Sequence, residues 1–419
     1  MRYAVTTFGC RVNQADSLQL EMQLRSRGAT PAPLDEADLV VVNSCSVTAT
    51  ADQGTRQTLR RVARLNPGAR VVATGCYATR AEEEIRELPG APAVVPNDQK
   101  HAIVDRFLPR VETTAERFGD GAGPCGALIS PTAVGRVAFM LRVQTGCEES
   151  CAYCIIPSTR GHGRSLDPAK VLRAVSYAAD RGFREVVLTG VHLGSYGRDL
   201  ASSVTLVALL RALDGHRSDV TFRISSLEPM DCPPELVDLV ASSGRFAPHF
   251  HLPLQHASDT VLRRMRRPYS LDDYSRVVDR IRSLLPHAAI GSDLIAGFPG
   301  EREDDAHRTF DYVSTSPLTY LHVFPYSPRA ATEASEFSGR VAGPLVRERA
   351  RALRDAGASL SRRFYESQIG SVRSGLTFEG SAVVLTDNYM KVAVPPGRAG
   401  NQRVDVRITG AEPLTGVFE

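Results

Sequence analysis

Long hydrophobic runs are missing. No stretch of the 419-residue sequence approaches the roughly 18 uninterrupted apolar residues that a membrane helix needs, which excludes an apolar spanning helix. The opening MRYAVTTFGCRVNQ lacks the apolar region of a signal peptide, so a cytoplasmic protein with no membrane contact is expected. Charge of one sign is also lacking: 50 Lys and Arg face 47 acids, for a net +3. A nucleic-acid surface must therefore come from local clustering of cations. Low-complexity segments and fixed-period repeats are absent, which excludes fibrous and solenoid architectures. Cysteine is scarce at eight residues, and a reducing cytosol argues against a disulfide framework. Those few cysteines are candidates for metal or redox chemistry. What remains is an ordinary globular composition, 42% hydrophobic and 23% charged, over a length that allows two or three domains of roughly 150 residues.

The first 112 residues alternate apolar runs with helical segments. AVTTFGC ends at Cys10, DLVVVNSC at Cys45 and RVVATGC at Cys76. Each run is β-branched and apolar on both faces, as buried parallel strands are, and the segments between them suffice for helical crossovers. Parallel strands would bring the three cysteines to one sheet edge, where open α/β sheets place their ligands. Residues 113–135 read as a linker containing Cys125, a bystander with no partner at ligand spacing. From 136 to 360 come six strand candidates: VAFMLRVQ, EVVLTGV, VTFRIS, HFHLPL, AAIGSDLIAGF and TYLHVF, separated by helices. A helix capped by Asp167 with Pro168 in its first turn is the clearest. Six βα units predict a partial (β/α)6 barrel with its chemistry at the C-terminal strand ends. Residues 361–419 carry VVL, YMKVAV, RVDVRITG and TGVF between turn residues, the pattern of a small all-β barrel. The fold class is therefore α/β with a C-terminal antiparallel barrel.

Cys147, Cys151 and Cys154 stand in GCEESCAYCIIPSTRG, directly after the first central strand. Three thiolates so close can hold one cubane cluster and leave an iron open for a substrate or cofactor. A structural zinc site and a thioredoxin-like redox pair are the alternatives; zinc wants a second pair of ligands, and a redox pair leaves Cys147 unexplained. The C-x3-C-x2-C run with Tyr153 before its last cysteine resembles the signature of radical S-adenosylmethionine enzymes. The resemblance implies that Cys147, Cys151 and Cys154 hold a 4Fe-4S cluster whose open iron chelates S-adenosylmethionine and whose electron yields a 5′-deoxyadenosyl radical. It also implies cofactor contacts at TGVHLGSYG, SSLEP, HLPLQHASD and DLIAGFPGE, with Tyr153, Gly190, Glu228, Gly297 and Gly300 as candidates. Glu228 would meet the ribose or amino group, and the glycines at 297 and 300 would let backbone approach closely.

TFGCRVNQADS, VNSCSVTATAD and ATGCYATR, followed by that triplet and a terminal barrel, resemble the methylthiotransferase family across essentially the whole chain. The resemblance implies a second 4Fe-4S cluster on Cys10, Cys45 and Cys76, a TRAM-type RNA-binding barrel, and insertion of a methylthio group at an unactivated C–H bond. It further implies an electron donor such as flavodoxin or ferredoxin, and a sulfur donor. GCRVNQADS and NSCSVTATADQGTRQTLRR resemble the branch acting on threonylcarbamoyladenosine beside the anticodon of tRNA. The isopentenyladenosine branch reads GCQMN at the first site and the branch modifying a ribosomal-protein aspartate reads GCPKN; these two substrates are the alternatives. A non-enzymatic iron–sulfur RNA-binding protein is the alternative of another class. Arg56, Arg60 and Arg64, spaced along one helical face beside Arg61, could lie along tRNA phosphates or form a solvated face. RRMRR at 263–267 and the arginines from Arg347 to Arg363 are further RNA candidates.

Overall fold

The computed structural model describes residues 1–108, 137–201, 204–380 and 382–419. The 113–135 linker and Cys125 lie outside the described residues.

The three N-terminal cysteine runs form the parallel strands Arg2–Thr7, Leu39–Ser44 and Arg70–Gly75. Leu39–Ser44 is buried along its whole length, which is why its sequence shows no polar alternation. Two short strands not read from the sequence, Thr30–Pro31 and Ala93–Val95, complete a five-stranded sheet in the order 2-1-3-4-5. They hold too few residues to show a period. That order is the flavodoxin-like one, whose ligand crevice opens between the first and third strands at their C-terminal ends. Cys10 and Cys45 flank that crevice. Helices Arg11–Ser26 and Ala49–Leu65 cross over the sheet, the second begun by the Thr48 hydroxyl accepting from Ala51 N–H at 3.2 Å.

All six central candidates are strands: Ala138–Arg142, Glu185–Thr189, Thr221–Ile224, His249–His251, Ala289–Ala296 and Tyr320–Pro325. They form two parallel three-stranded sheets joined by a parallel bridge between Phe222 and Phe246. Ala138–Arg142 and Tyr320–Pro325 are the two unpaired edges of this partial barrel. Helix Pro168–Asp180 has the cap expected of it, Asp167 accepting from Ala169 and Lys170 N–H. The N-terminal helix Arg11–Ser26 packs along the edge strand Ala138–Arg142.

Helix Gly343–Gln368 packs on the other edge strand and runs across the 360/361 division drawn from the sequence. Beyond it, five strands close into a barrel: Val372–Thr377, Val383–Thr386, Lys391–Ala393, Arg403–Ala411 and Leu414–Phe418. The first of these, VRSGLT, was not read as a strand because Gly375 and Arg373 interrupt its apolar pattern. Gly375 is there for packing, since a Cβ would lie 2.5 Å from Val384 Cγ1. The small barrel docks where the central strands begin: Arg403 pairs with Asp219 at 2.8 Å, Asn401 donates to Gly182 O and Asn388 to His287 O. Arg223, fully buried, donates to Asp387 O at 2.9 Å and grips Glu185 with two hydrogen bonds of 3.0 and 2.8 Å. The opposite end of the central barrel is thereby left to the cysteines. Among the described residues, no helix is long and apolar enough to cross a membrane.

Candidate active site

Cys45 and Cys76 follow their strands immediately and Cys10 lies three residues past the end of its own, and the three meet at one edge of the N-terminal sheet. Gly9 has φ +88°, and a Cβ there would stand 2.4 Å from Cys45 Sγ, so only glycine lets the Cys10 loop close onto Cys45. Burial pushes the Cys45 thiol up to about 12, neighbouring Cys10 adds to the rise, and Val47 N–H donated to its sulfur opposes it. Arg160 of the central domain lies against Cys76, close enough for the charges of Cys76 and Cys10 to reinforce its own despite burial. It donates to Asn13 Oδ1 at 2.6 Å and to Asp16. Asp16, 1% exposed, takes three cations: Lys100 at 2.8 Å, Arg142 at 2.6 Å and Arg160 at 3.2 Å. Burial alone would raise its pKa, but Arg142, Lys100 and Arg160 together hold it well below the usual carboxylate range. Three cations on one carboxylate leave excess positive charge there, and Arg160 carries part of it to Cys76.

Cys147, Cys151 and Cys154 line the loop after the first central strand. Gly146 turns that loop at φ +76°, with His162 O only 1.8 Å from where a Cβ would be. Cys154 N–H donates to Cys151 O at 3.0 Å, and burial pushes its thiol up to about 12. Arg267 Nη1 donates to Cys151 Sγ at 3.0 Å, Arg267 Nε to Tyr269 Oη at 3.0 Å, and Arg267 Nη2 to the Glu228 carboxylate. Cys147 Sγ lies 3.7 Å from His192 Nδ1, and His192 Nε2 lies 2.5 Å from Asp231 Oδ2. Burial opposes charge on His192, but Asp231 and Cys147 outweigh it and its pKa rises to about 9.

Neither thiol triplet is drawn in tightly enough for one small ion. Among the described residues, only His251, Asp293 and His322 have ligand atoms all within 4.8 Å of one another. Tetrahedral zinc with Zn–S near 2.3 Å would hold its sulfurs about 3.8 Å apart. The spread and the all-thiol donor set fit a polynuclear iron–sulfur cluster, with room left for a non-protein ligand.

The candidate cofactor residues border this second triplet unevenly. Tyr153 is half-buried, its ring edge-on to Phe298 with centroids 6.5 Å apart, and burial holds its phenol above the ordinary value. Gly190 leaves room for Gln144, whose amide donates to Gly146 O and accepts from His192 N–H. Glu228 is tied to Arg267. Gly297 and Gly300 have φ +78° and +87°, and Cβ atoms there would meet Val346 Cγ2 at 2.4 Å and Arg264 Nε at 2.8 Å. Glycine is thus required at both by backbone conformation and by the chain's packing on itself. Glu301 pins the turn, accepting from Gly297 and Phe298 N–H and from Arg349.

The arginine stripe separates. Arg56 donates to Tyr77 Oη at 2.7 Å and pairs with Glu84 at 3.1 Å, whereas Arg60, Arg61 and Arg64 are exposed. RRMRR divides: Arg267 is buried at Cys151, Arg264 donates to Pro299 O and Ser338 O, Arg266 pairs with Glu333, and Arg263 is exposed. Arg349, inside the later arginine run, is buried against Glu301 and Glu303. Arg160, Asp16, Lys100 and Asp231 escaped the sequence reading because each acts through a partner distant in sequence. Only the position of Arg160 in CIIPSTRG, just past the triplet, hinted at it.

Residues 141–313 match the radical SAM superfamily, and residues 2–95 match uncharacterized protein family UPF0004. The threonylcarbamoyladenosine tRNA methylthiotransferase MtaB of Aquifex aeolicus is 35% identical over 400 residues, covering 94% of this chain and 96% of the relative. The tRNA-2-methylthio-N(6)-dimethylallyladenosine synthase of Corynebacterium glutamicum strain ATCC 13032 is 32% identical over 360 residues, covering 83% of this chain and 69% of the relative. In structure, the radical S-adenosylmethionine methyltransferase TsrM of Kitasatospora setae superposes with a TM-score of 0.53 at 15% identity, over 80% of this chain and 75% of that one. The chain belongs to the methylthiotransferase family of radical S-adenosylmethionine enzymes, whose chemistry uses S-adenosylmethionine and a 4Fe-4S cluster.

Proposed function

We propose that this chain methylthiolates N6-threonylcarbamoyladenosine beside the anticodon of tRNA, converting it to the 2-methylthio derivative, with Cys147, Cys151 and Cys154 holding the radical cluster and Cys10, Cys45 and Cys76 a second one. The carrying observation is Arg160, which ends the short helix Ile156–Arg160 just after Cys154 and lies against Cys76, so that one short segment links both triplets. Near end-to-end likeness to a relative named for that substrate supports the choice of nucleoside. When bound, the clusters and S-adenosylmethionine supply one-electron chemistry and a sulfur carrier, which amino-acid side chains cannot provide at an unactivated C–H bond. The chain's own residues position and tune. Arg267 donates to Cys151, Arg160 offsets charge at Cys76, and the Glu301-pinned turn at Gly297 and Gly300, with Gly190, Tyr153 and Glu228, borders S-adenosylmethionine. Exposed Arg60, Arg61 and Arg64, together with the C-terminal TRAM-type barrel, take tRNA phosphates. The reaction takes its electrons from a donor such as flavodoxin or ferredoxin and its sulfur from a separate donor, in the cytoplasm.

The deciding experiment is mass spectrometry of tRNA nucleosides from cells with and without the gene. The 2-methylthio form of threonylcarbamoyladenosine is expected to vanish while its precursor accumulates. Loss of 2-methylthio-isopentenyladenosine instead would refute the substrate assignment. Arg267→Met is expected to lower the reduction potential of the radical cluster, because a cationic donor to Cys151 favours the more negative reduced state. A potential titration followed by electron paramagnetic resonance reads this directly, and an unchanged potential would remove Arg267 from that role.

A further inference from the structure

On the inner face of the central barrel, alternate residues of neighbouring strands gather a polar lining: His249 and His251, Asp293, Tyr320 and His322. Most of its polar atoms are engaged, with His249 Nδ1 and His251 Nε2 left without a hydrogen-bond partner among the described residues. His249 Nε2 and Tyr320 Oη hydrogen-bond at 2.8 Å, and Ser226 Oγ holds His251 Nδ1 at 2.7 Å. Asp293 faces both His251 and His322 at 3.1 Å. From below, the small barrel inserts Tyr389 from the turn between its second and third strands, at φ +68°. The Tyr389 ring lies 4.3 Å from that of His249 and 6.0 Å from that of Tyr320. Arg223 stands over it at 5.2 Å, its own charge satisfied by Glu185.

Arg11 breaks the pattern. It is the first residue of its helix, next to Cys10, and its guanidinium reaches out of the N-terminal domain to stand 5.2 Å from the Tyr389 centroid. Its charge is felt at His249 and at Tyr320 on the barrel's inner face. Yet among the described residues no hydrogen bond or ion pair engages the guanidinium, and the side chain is half-buried. A fixed, half-buried cation with its fork of N–H donors unpaired matches one ligand chemistry above others, a carboxylate bound side by side. Three domains therefore meet at Arg11, between Cys10 and the barrel interior.

We propose that Arg11, stacked on Tyr389, binds the carboxylate of the amino-acid substituent on N6 of the target adenosine and so sets the position of C2. This deepens the substrate reading above and rests on it. N6 and C2 flank N1 on the same edge of the base, so a residue that fixes the substituent also aims the carbon to be modified.

The test uses reconstituted holoenzyme and anticodon stem-loop RNAs carrying either N6-threonylcarbamoyladenosine or its methyl ester, in which the carboxylate charge is removed. The wild-type protein is expected to favour the acid over the ester by about 10- to 100-fold in KM, the range of one charge-assisted pair. Arg11→Gln raises KM for the acid to that for the ester with a smaller effect on kcat, and Arg11→Lys restores part of the preference. Iron content and RNA-independent cleavage of S-adenosylmethionine are measured on every variant to separate recognition from misfolding. A wild-type protein that treats acid and ester alike, or an Arg11→Gln protein that keeps the preference, overturns the proposal. Loss of RNA-independent cofactor cleavage in Arg11→Gln at full iron content would place Arg11 on the cofactor and also overturn it. If neither threonylcarbamoyl RNA reacts while isopentenyladenosine RNA does, the substrate reading itself has failed.

Discussion

Alanine at Cys147, Cys151 or Cys154 is expected to abolish cleavage of S-adenosylmethionine, whereas alanine at Cys10, Cys45 or Cys76 spares measurable cleavage and abolishes methylthiolation. The asymmetry follows from position. The first triplet to be tested lies in one loop of the central barrel, braced by Arg267 and His192, and needs nothing from the N-terminal sheet to hold its ligands. The second lies just past the ends of three separate strands of a different domain, so removing one thiol damages that site alone. Losing a ligand should exceed the ~10- to 100-fold effect typical of losing an outer partner. The measurements are 5′-deoxyadenosine release and methylthiolated nucleoside from the same reactions, with iron counted per chain. Methylthiolation persisting in a Cys45→Ala protein would end the two-cluster scheme.

Asp16→Asn is expected to cost about 3–5 kcal/mol, because it leaves buried Lys100 and Arg160, and half-buried Arg142, around a neutral amide. Two of these three cations belong to the central domain, so the loss falls on the contact that sets the triplets side by side. The pH dependence has a definite sign. The Asp16 carboxyl is held below its ordinary range when folded, so its contribution is complete above the unfolded pKa of about 3.9. It fades as the pH falls below that value toward the folded pKa. Urea unfolding of wild type and Asp16→Asn between neutral and acid pH should therefore show the gap closing on acidification. A difference below about 1 kcal/mol at neutral pH would mean that the three cations find other partners.

Each element read correctly from the sequence carried a local signal. The strands ending at Cys10, Cys45 and Cys76 are β-branched and flanked by Gly or Ser, and the helix at Pro168 has its cap beside it in the chain. Elements that failed had no such signal: Thr30–Pro31 is too short to show a period, and Val372–Thr377 is interrupted by a glycine that packing requires. The same division runs through the candidate site. Thiol spacing in GCEESCAYC is local chemistry and legible as such. An arginine run such as RRMRR is ambiguous until burial is known, because a guanidinium serves equally at a phosphate and at a buried thiolate.

By itself, then, the sequence determined the donor atoms and the order of domains, since both depend on residue type and on spacings of a few residues. Only the tertiary structure decided which charges are spent and which are free. Asp16, Arg160, Arg267 and Arg11 acquire their roles from partners far away in the chain, and burial in a medium of low polarity makes those pairings strong enough to matter.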